Sequence, residues 1–236
     1  MSKSWSRWRT LAGGALIAYL AGTGSANAGI VWAEQAPGAG DTIATAQVTS
    51  DSSLRALDAI TGTLNAVVDQ SNTPAYFADI FKIYISDTST FSARTVSNNS
   101  QDDTSLFLFN SGGLGVAMND DELNVGVLSV LSALNGLIND YYYIAIGLGG
   151  FEAQDGSPQN IFSLGGYTDV RAGDPNAGAL VSWADPFARQ AETTFDYRIE
   201  FTGARVAVPE PGTLALVLLA AAGVVGSRST RRPAQA

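Results

Sequence analysis

The chain of 236 residues contains no cysteine and no histidine. These two absences remove disulfides, thiol nucleophiles, imidazole bases and nearly all protein ligation of zinc or copper. Carboxylates, hydroxyls and tyrosine are what remains for chemistry. Without cross-links, stability has to come from core burial, sheet pairing or bound metal.

Positive charge is scarce as well, and it is unevenly placed. Lys3, Arg7 and Arg9 precede the first apolar run, and Arg228, Arg231 and Arg232 follow the last one. Between them stand only Arg55, Lys82, Arg94, Arg171, Arg189, Arg198 and Arg205, so the middle is more acidic than the net charge of -9 suggests. Phosphate binding needs a basic footprint, so no nucleic-acid partner is expected. Also missing are a Gly-x-Ser-x-Gly elbow, a phosphate loop and a dinucleotide fingerprint, and no serine has a histidine to activate it. The chain is not expected to be an enzyme.

The two ends are readable. A basic start leads into the apolar run Leu11 to Ala21, and Ala26-Asn27-Ala28 then puts small residues at the -3 and -1 positions a signal peptidase accepts. A run of about 11 apolar residues is short for a bilayer span, which favours a cleaved signal peptide over a permanent anchor. Cleavage is expected after Ala28. At the other end, Pro209-Glu210-Pro211 leads into the uncharged run Leu214 to Gly226 and then into Arg228, Arg231 and Arg232. Proline fixes an extended segment there, and the arginines would stay cytoplasmic. The alternative is a plain C-terminal anchor that is never cut.

This tail resembles the PEP-CTERM sorting signal of Gram-negative bacteria: a Pro-Glu-Pro motif, a short transmembrane helix and an arginine cluster. The resemblance implies processing by an exosortase, with transient residence in the inner membrane and a final place at the cell surface or outside the cell. Proteins of this kind often accompany exopolysaccharide and biofilm matrix, which makes a polysaccharide the implied partner.

Short alternating apolar runs with polar turns fill the middle, among them Asp79 to Ser86, Ser105 to Asn110, Tyr141 to Gly147 and Phe195 to Phe201. Their spacing predicts an all-β fold, a single β-sandwich. Glu122 to Asn139 has the spacing of one short amphipathic helix, weakened by Gly126 and Gly136. Ala153 to Thr194, with Pro158, Pro175 and Pro186, reads as a long loop that Trp183 would pin to the core.

The order of Ile60-Thr61-Gly62-Thr63-Leu64, Asp79 to Ile85, Asp103 to Phe109, Tyr141 to Ile146 and Tyr197 to Gly203 resembles the bacterial pre-peptidase C-terminal domain. That likeness implies a jelly-roll-like antiparallel sandwich in a non-catalytic, accessory role. The chain then divides into a signal peptide at 1–28, a lead-in at 29–53 with one edge strand, a β-sandwich at 54–207 with its long loop at 153–194, and a sorting tail at 208–236. The membrane helix of that tail is expected over roughly 212–227.

Asp102 and Asp103 before one strand, and Asp120, Asp121 and Glu122 after the next, are the densest carboxylates, and a hairpin from Ser105 to Met118 would join them. Calcium is the natural occupant of such an oxygen set, with Asn119 and backbone carbonyls completing the shell. The plainer alternative is solvated turn residues, since aspartate favours turns for its own backbone hydrogen bonds. Read as a glycosidase pair, the same carboxylates would make a secreted hydrolase acting on polysaccharide, but adjacent turn aspartates lack the apolar pocket that raises a pKa. Trp32, Trp183, Tyr141 and Tyr142 could stack on sugars, although alternate rings of a strand belong in the core.

Overall fold

The computed structural model describes residues 28–51, 55–68, 74–76, 78–97, 99, 101–187 and 193–207. The expected signal peptide up to Asn27, including Ala26, lies outside the described residues, as does the tail with Pro209, Glu210, Pro211, Arg228, Arg231 and Arg232. Ala28 is exposed, two positions before the first strand.

Strands in two large sheets make up the described part. One sheet runs in the order β1 (Ile30–Ala33), β3 (Leu57–Val68), β14 (Thr193–Thr202), β6 (Ser92–Val96) and β9 (Val130–Ser132), with β4 (Pro74–Tyr76) also on β3. The other runs β12 (Arg171–Ala172), β8 (Gly115–Asn119), β7 (Thr104–Asn110), β10 (Asp140–Leu148), β5 (Ala78–Ile85) and β15 (Ala204–Val206), with β2 (Gln47–Val48) also on β5. A small pair, β11 (Glu152–Gln154) and β13 (Ser182–Ala184), stands apart from both. On one side a bridge between Ala56 and Arg205 ties the two large sheets together.

The first sheet is open to water on its outer face, and its strands alternate. Along β14, Tyr197, Ile199 and Phe201 are buried while Asp196, Glu200 and Thr202 are exposed, as a period of two requires. In the second sheet β7 is buried from Thr104 to Phe109, and β5 and β10 are buried over most of their length. Directly opposed residues share a face, so Phe81, Ile144 and Leu108 line one side in register. That side meets the first sheet, where the Phe81 ring lies 5.7 Å from Trp32 and 6.4 Å from Tyr197.

Phe107 and Phe109 point the other way, and the segment between β10 and β14 covers them. Trp183 of β13 lies 4.9 Å edge-on from Phe107, and Phe162 lies 5.5 Å from Phe109. Trp183 also donates its indole N–H to the Asp41 carbonyl at 2.7 Å, so the expected pin is present. The stretch read as a long loop therefore carries three short strands and extends the hydrophobic core over the second face of this sheet.

Three expectations change. The sandwich is all-β but mixed, because β1 runs parallel to β3 and β2 parallel to β5. Residues 29–53, read as a lead-in with one edge strand, contribute one strand to each sheet. No helix forms over Glu122 to Asn139: Asn124, Gly126, Ala133 and Gly136 all have positive φ, which an α-helix cannot accommodate, and turns with β9 take its place.

Candidate functional site

The β7–β8 hairpin brings the predicted carboxylates to one end of the covered sheet. Its turn is closed by Asn110, whose Oδ1 accepts the N–H groups of Gly112 at 2.9 Å and Leu114 at 3.1 Å, with Gly113 at positive φ. Leu106 then pairs with Asn119, and the residues just beyond, Asp103 on one side and Asp120 and Asp121 on the other, meet. One carboxylate oxygen from each of the three lies within 4.8 Å of the others.

Each member is held in place. Buried Asp120 accepts the Gly150 N–H at 2.8 Å and the Ser105 hydroxyl through Oδ1. The Asp103 side chain rests on Gly149, where a Cβ would collide with it. The Asp121 N–H is anchored to the Tyr167 carbonyl at 2.9 Å, and burial followed by the Asp120 charge pushes its carboxyl pKa up. Three hard oxygen donors in this arrangement could hold a calcium ion.

Asp102 is not part of the triad. Its carboxylate accepts Asn99 Nδ2 at 2.7 Å and the Ser97 hydroxyl at 2.5 Å. Neighbours entering a strand point to opposite sides, so Asp102 and Asp103 cannot both face one ion. Asn119 is also committed elsewhere, since its Oδ1 accepts the Val130 N–H at 2.8 Å. Glu122, next in sequence, pairs with Arg94 at 2.8 Å.

Of the aromatic residues named from sequence, Trp183 and Tyr142 are in the core, and the Tyr142 hydroxyl donates to the Ile138 carbonyl at 3.2 Å. Tyr141 sits on the outer face of the covered sheet, with its ring 5.2 Å from Tyr84 and the Lys82 ammonium 4.7 Å above it.

A second group of carboxylates had no signal in the sequence. Glu34, just past β1, accepts Ala39 N–H at 2.6 Å through Oε1, and Thr63 N–H at 3.0 Å and the Tyr197 hydroxyl at 3.4 Å through Oε2. Asp79, at the start of β5, faces the same tyrosine from the other sheet. Its carboxyl pKa is pushed up to about 8, first by burial and then by the Glu34 charge, with the Tyr197 hydrogen bond opposing. Burial and both carboxylates raise the Tyr197 phenol in turn. Glu34 and Asp79 line a hollow of about 370 Å³ under residues 34–40. They are 45 positions apart in sequence, which is why no local motif marks them.

The β15 strand ends at Val206, and buried Ala207 is the last described residue. Residues 207–232 match the PEP-CTERM protein-sorting motif. The tail of this chain therefore carries a PEP-CTERM sorting motif, which in sequence begins directly after the final strand of the sandwich. No curated protein and no solved structure matches the chain. Among the described residues no helix is long and apolar enough to cross a membrane.

Proposed function

We propose that this chain is an exported surface or extracellular-matrix protein, cut by signal peptidase at its start and by an exosortase at its tail. Its β-sandwich acts as a non-catalytic accessory module of the pre-peptidase C-terminal kind, associated with exopolysaccharide. The observation that carries the reading is the sorting motif at residues 207–232, joined without a spacer to a well-packed sandwich. Exchanging Pro209 and Pro211 for alanine keeps the hydrophobic hold and removes the extended segment, so the precursor should stay uncut in the membrane. Deleting 209–236 should send the body out in soluble form. Processing of the proline variant at the parental rate would replace this reading with a plain anchor.

Within the same reading, Asp103, Asp120 and Asp121 hold calcium at the rim. At calcium one hundred times Kd, linkage gives about 2.7 kcal/mol of added stability. That gain should vanish in Asp121→Asn and persist in Asp102→Asn, read as melting temperature in calcium against chelator.

One observation favours the second reading, a carboxylate-dependent hydrolase acting on polysaccharide: the Glu34–Asp79 pair with its raised acid. Both Glu34 oxygens already accept protein hydrogen bonds, and Asp79 is buried. We therefore read the pair as a holding site. Release of reducing ends from a polysaccharide by the parent and not by Asp79→Asn would reverse that assignment.

A further inference from the structure

The chain from Glu34 to Asp41 crosses from the open sheet to the covered one, and the way it is built points to a ligand. Glu34 N donates to Thr61 O at 2.8 Å in the open sheet, and Gly40 O accepts Ile80 N at 3.1 Å in the covered one. Gly38, at φ +123, allows the chain to curl so that Ala39 N returns to the Glu34 carboxylate. Below it, Gly62 leaves bare backbone: a Cβ there would collide with both Glu34 Oε2 and the Tyr197 hydroxyl. The sequence keeps a glycine in mid-strand and so makes room for a carboxylate and a phenol between the sheets.

Asp79 completes the arrangement and leaves it unbalanced. It is only 8% exposed, and its Oδ2 is buried without a hydrogen-bond partner. Among the described residues no lysine or arginine is paired with Glu34 or Asp79. Tyr197 hydrogen-bonds to the Asp79 carboxyl, but a buried oxygen with neither a donor nor a counter-charge of its own is costly, and the missing partner is a cation or a proton.

We propose that the hollow beneath residues 34–40 is a cation site, in which Glu34 and Asp79 hold a hard divalent ion of the calcium kind between the two sheets. The polar groups on offer are oxygens and amides, with no histidine or thiolate, which selects for calcium over the softer transition metals. The lining adds Thr63, Asn65 and the backbone at Gly38 and Gly40. At about 30 Å³ per water, the hollow has room for an ion with several retained waters. The site is distinct from the rim triad in residues and in position, and it does not rest on the sorting reading. The ion would clamp the crossing segment to both sheets.

Terbium, a calcium surrogate that emits when excited through a nearby tyrosine, tests this on the full chain in detergent, with Tyr197 as the antenna. The parent should bind one equivalent more than Asp79→Asn and one more than Glu34→Gln, and both variants should lose part of the calcium-induced rise in melting temperature. Asp79→Asn should melt no lower than the parent in chelator, which shows that it folds. Tyr197→Phe should keep the stoichiometry and lose the share of the sensitised emission that Asp79→Asn also loses. Asp121→Asn, which empties the rim triad, should leave the difference between parent and Asp79→Asn intact. Equal terbium equivalents and equal calcium shifts in the parent and both carboxylate variants would overturn the proposal, as would no bound ion at all.

Discussion

The open sheet and the covered sheet solve the same problem with different sequences. In the open sheet β14 and β6 alternate, with Ala93 and Thr95 buried and Arg94 exposed between them. The covered sheet buries both faces of β7, and its second face is closed by the Phe151 to Phe187 excursion rather than by a third large sheet. A strand that reads as a continuous apolar run needs two covers, and a proline-rich stretch with no period of its own supplies one here. Where the cover is missing, the strands have to be amphipathic.

Cutting the cover's contact should have the largest effect. Phe107 is fully buried against Phe162 and Trp183, so Phe107→Ala should cost about 3–5 kcal/mol in denaturant unfolding. The seam between the sheets gives the next effect. Asp79 is protonated in the fold up to about pH 8 and ionised in the unfolded chain above its ordinary 3.8, so the native state binds the extra proton. Stability in chelator should therefore fall as pH rises from about 4 to 8, by a few kcal/mol at most, and then level off. Asp79→Asn should flatten that profile, measured as melting temperature against pH.

At the same seam, Gly62→Ala should cost about 1–3 kcal/mol, because the added methyl forces Glu34 and Tyr197 off their positions. Smallest of all should be Glu200→Gln on the wet face of the open sheet. Its pairing with Arg198 at 2.9 Å is exposed, and the change should stay within about 0.5 kcal/mol. A loss there as large as at Phe107 would mean that the open face is covered by something.

Much of the strand content could be read directly. Ile80 to Ile85 and Leu106 to Phe109 announce themselves by crowding β-branched and aromatic side chains, and Asn110-Ser111-Gly112-Gly113 announces its turn. The apolar spacing of Glu122 to Asn139 suits a helix, while four positive-φ residues interrupt it. The two- and three-residue strands of the cover have too few positions to show a period. The rim triad was legible at Asp103, Asp120 and Asp121 because a hairpin brings its own ends together, whereas Asp102 was misplaced by one step of the strand pleat.

The sorting motif is a matter of local pattern: Pro209, Glu210, Pro211, an apolar run and arginines stand in chain order, so linear sequence is enough to recognise it. The absence of cysteine and histidine likewise sets the available chemistry without reference to any fold. The parallel docking of Ile30–Ala33 on β3, the cover over Phe107 and the meeting of Glu34 with Asp79 depend on tertiary structure. They join residues tens of positions apart, and such pairings are selected by which faces remain to be buried once the strands have formed, a quantity no local pattern carries.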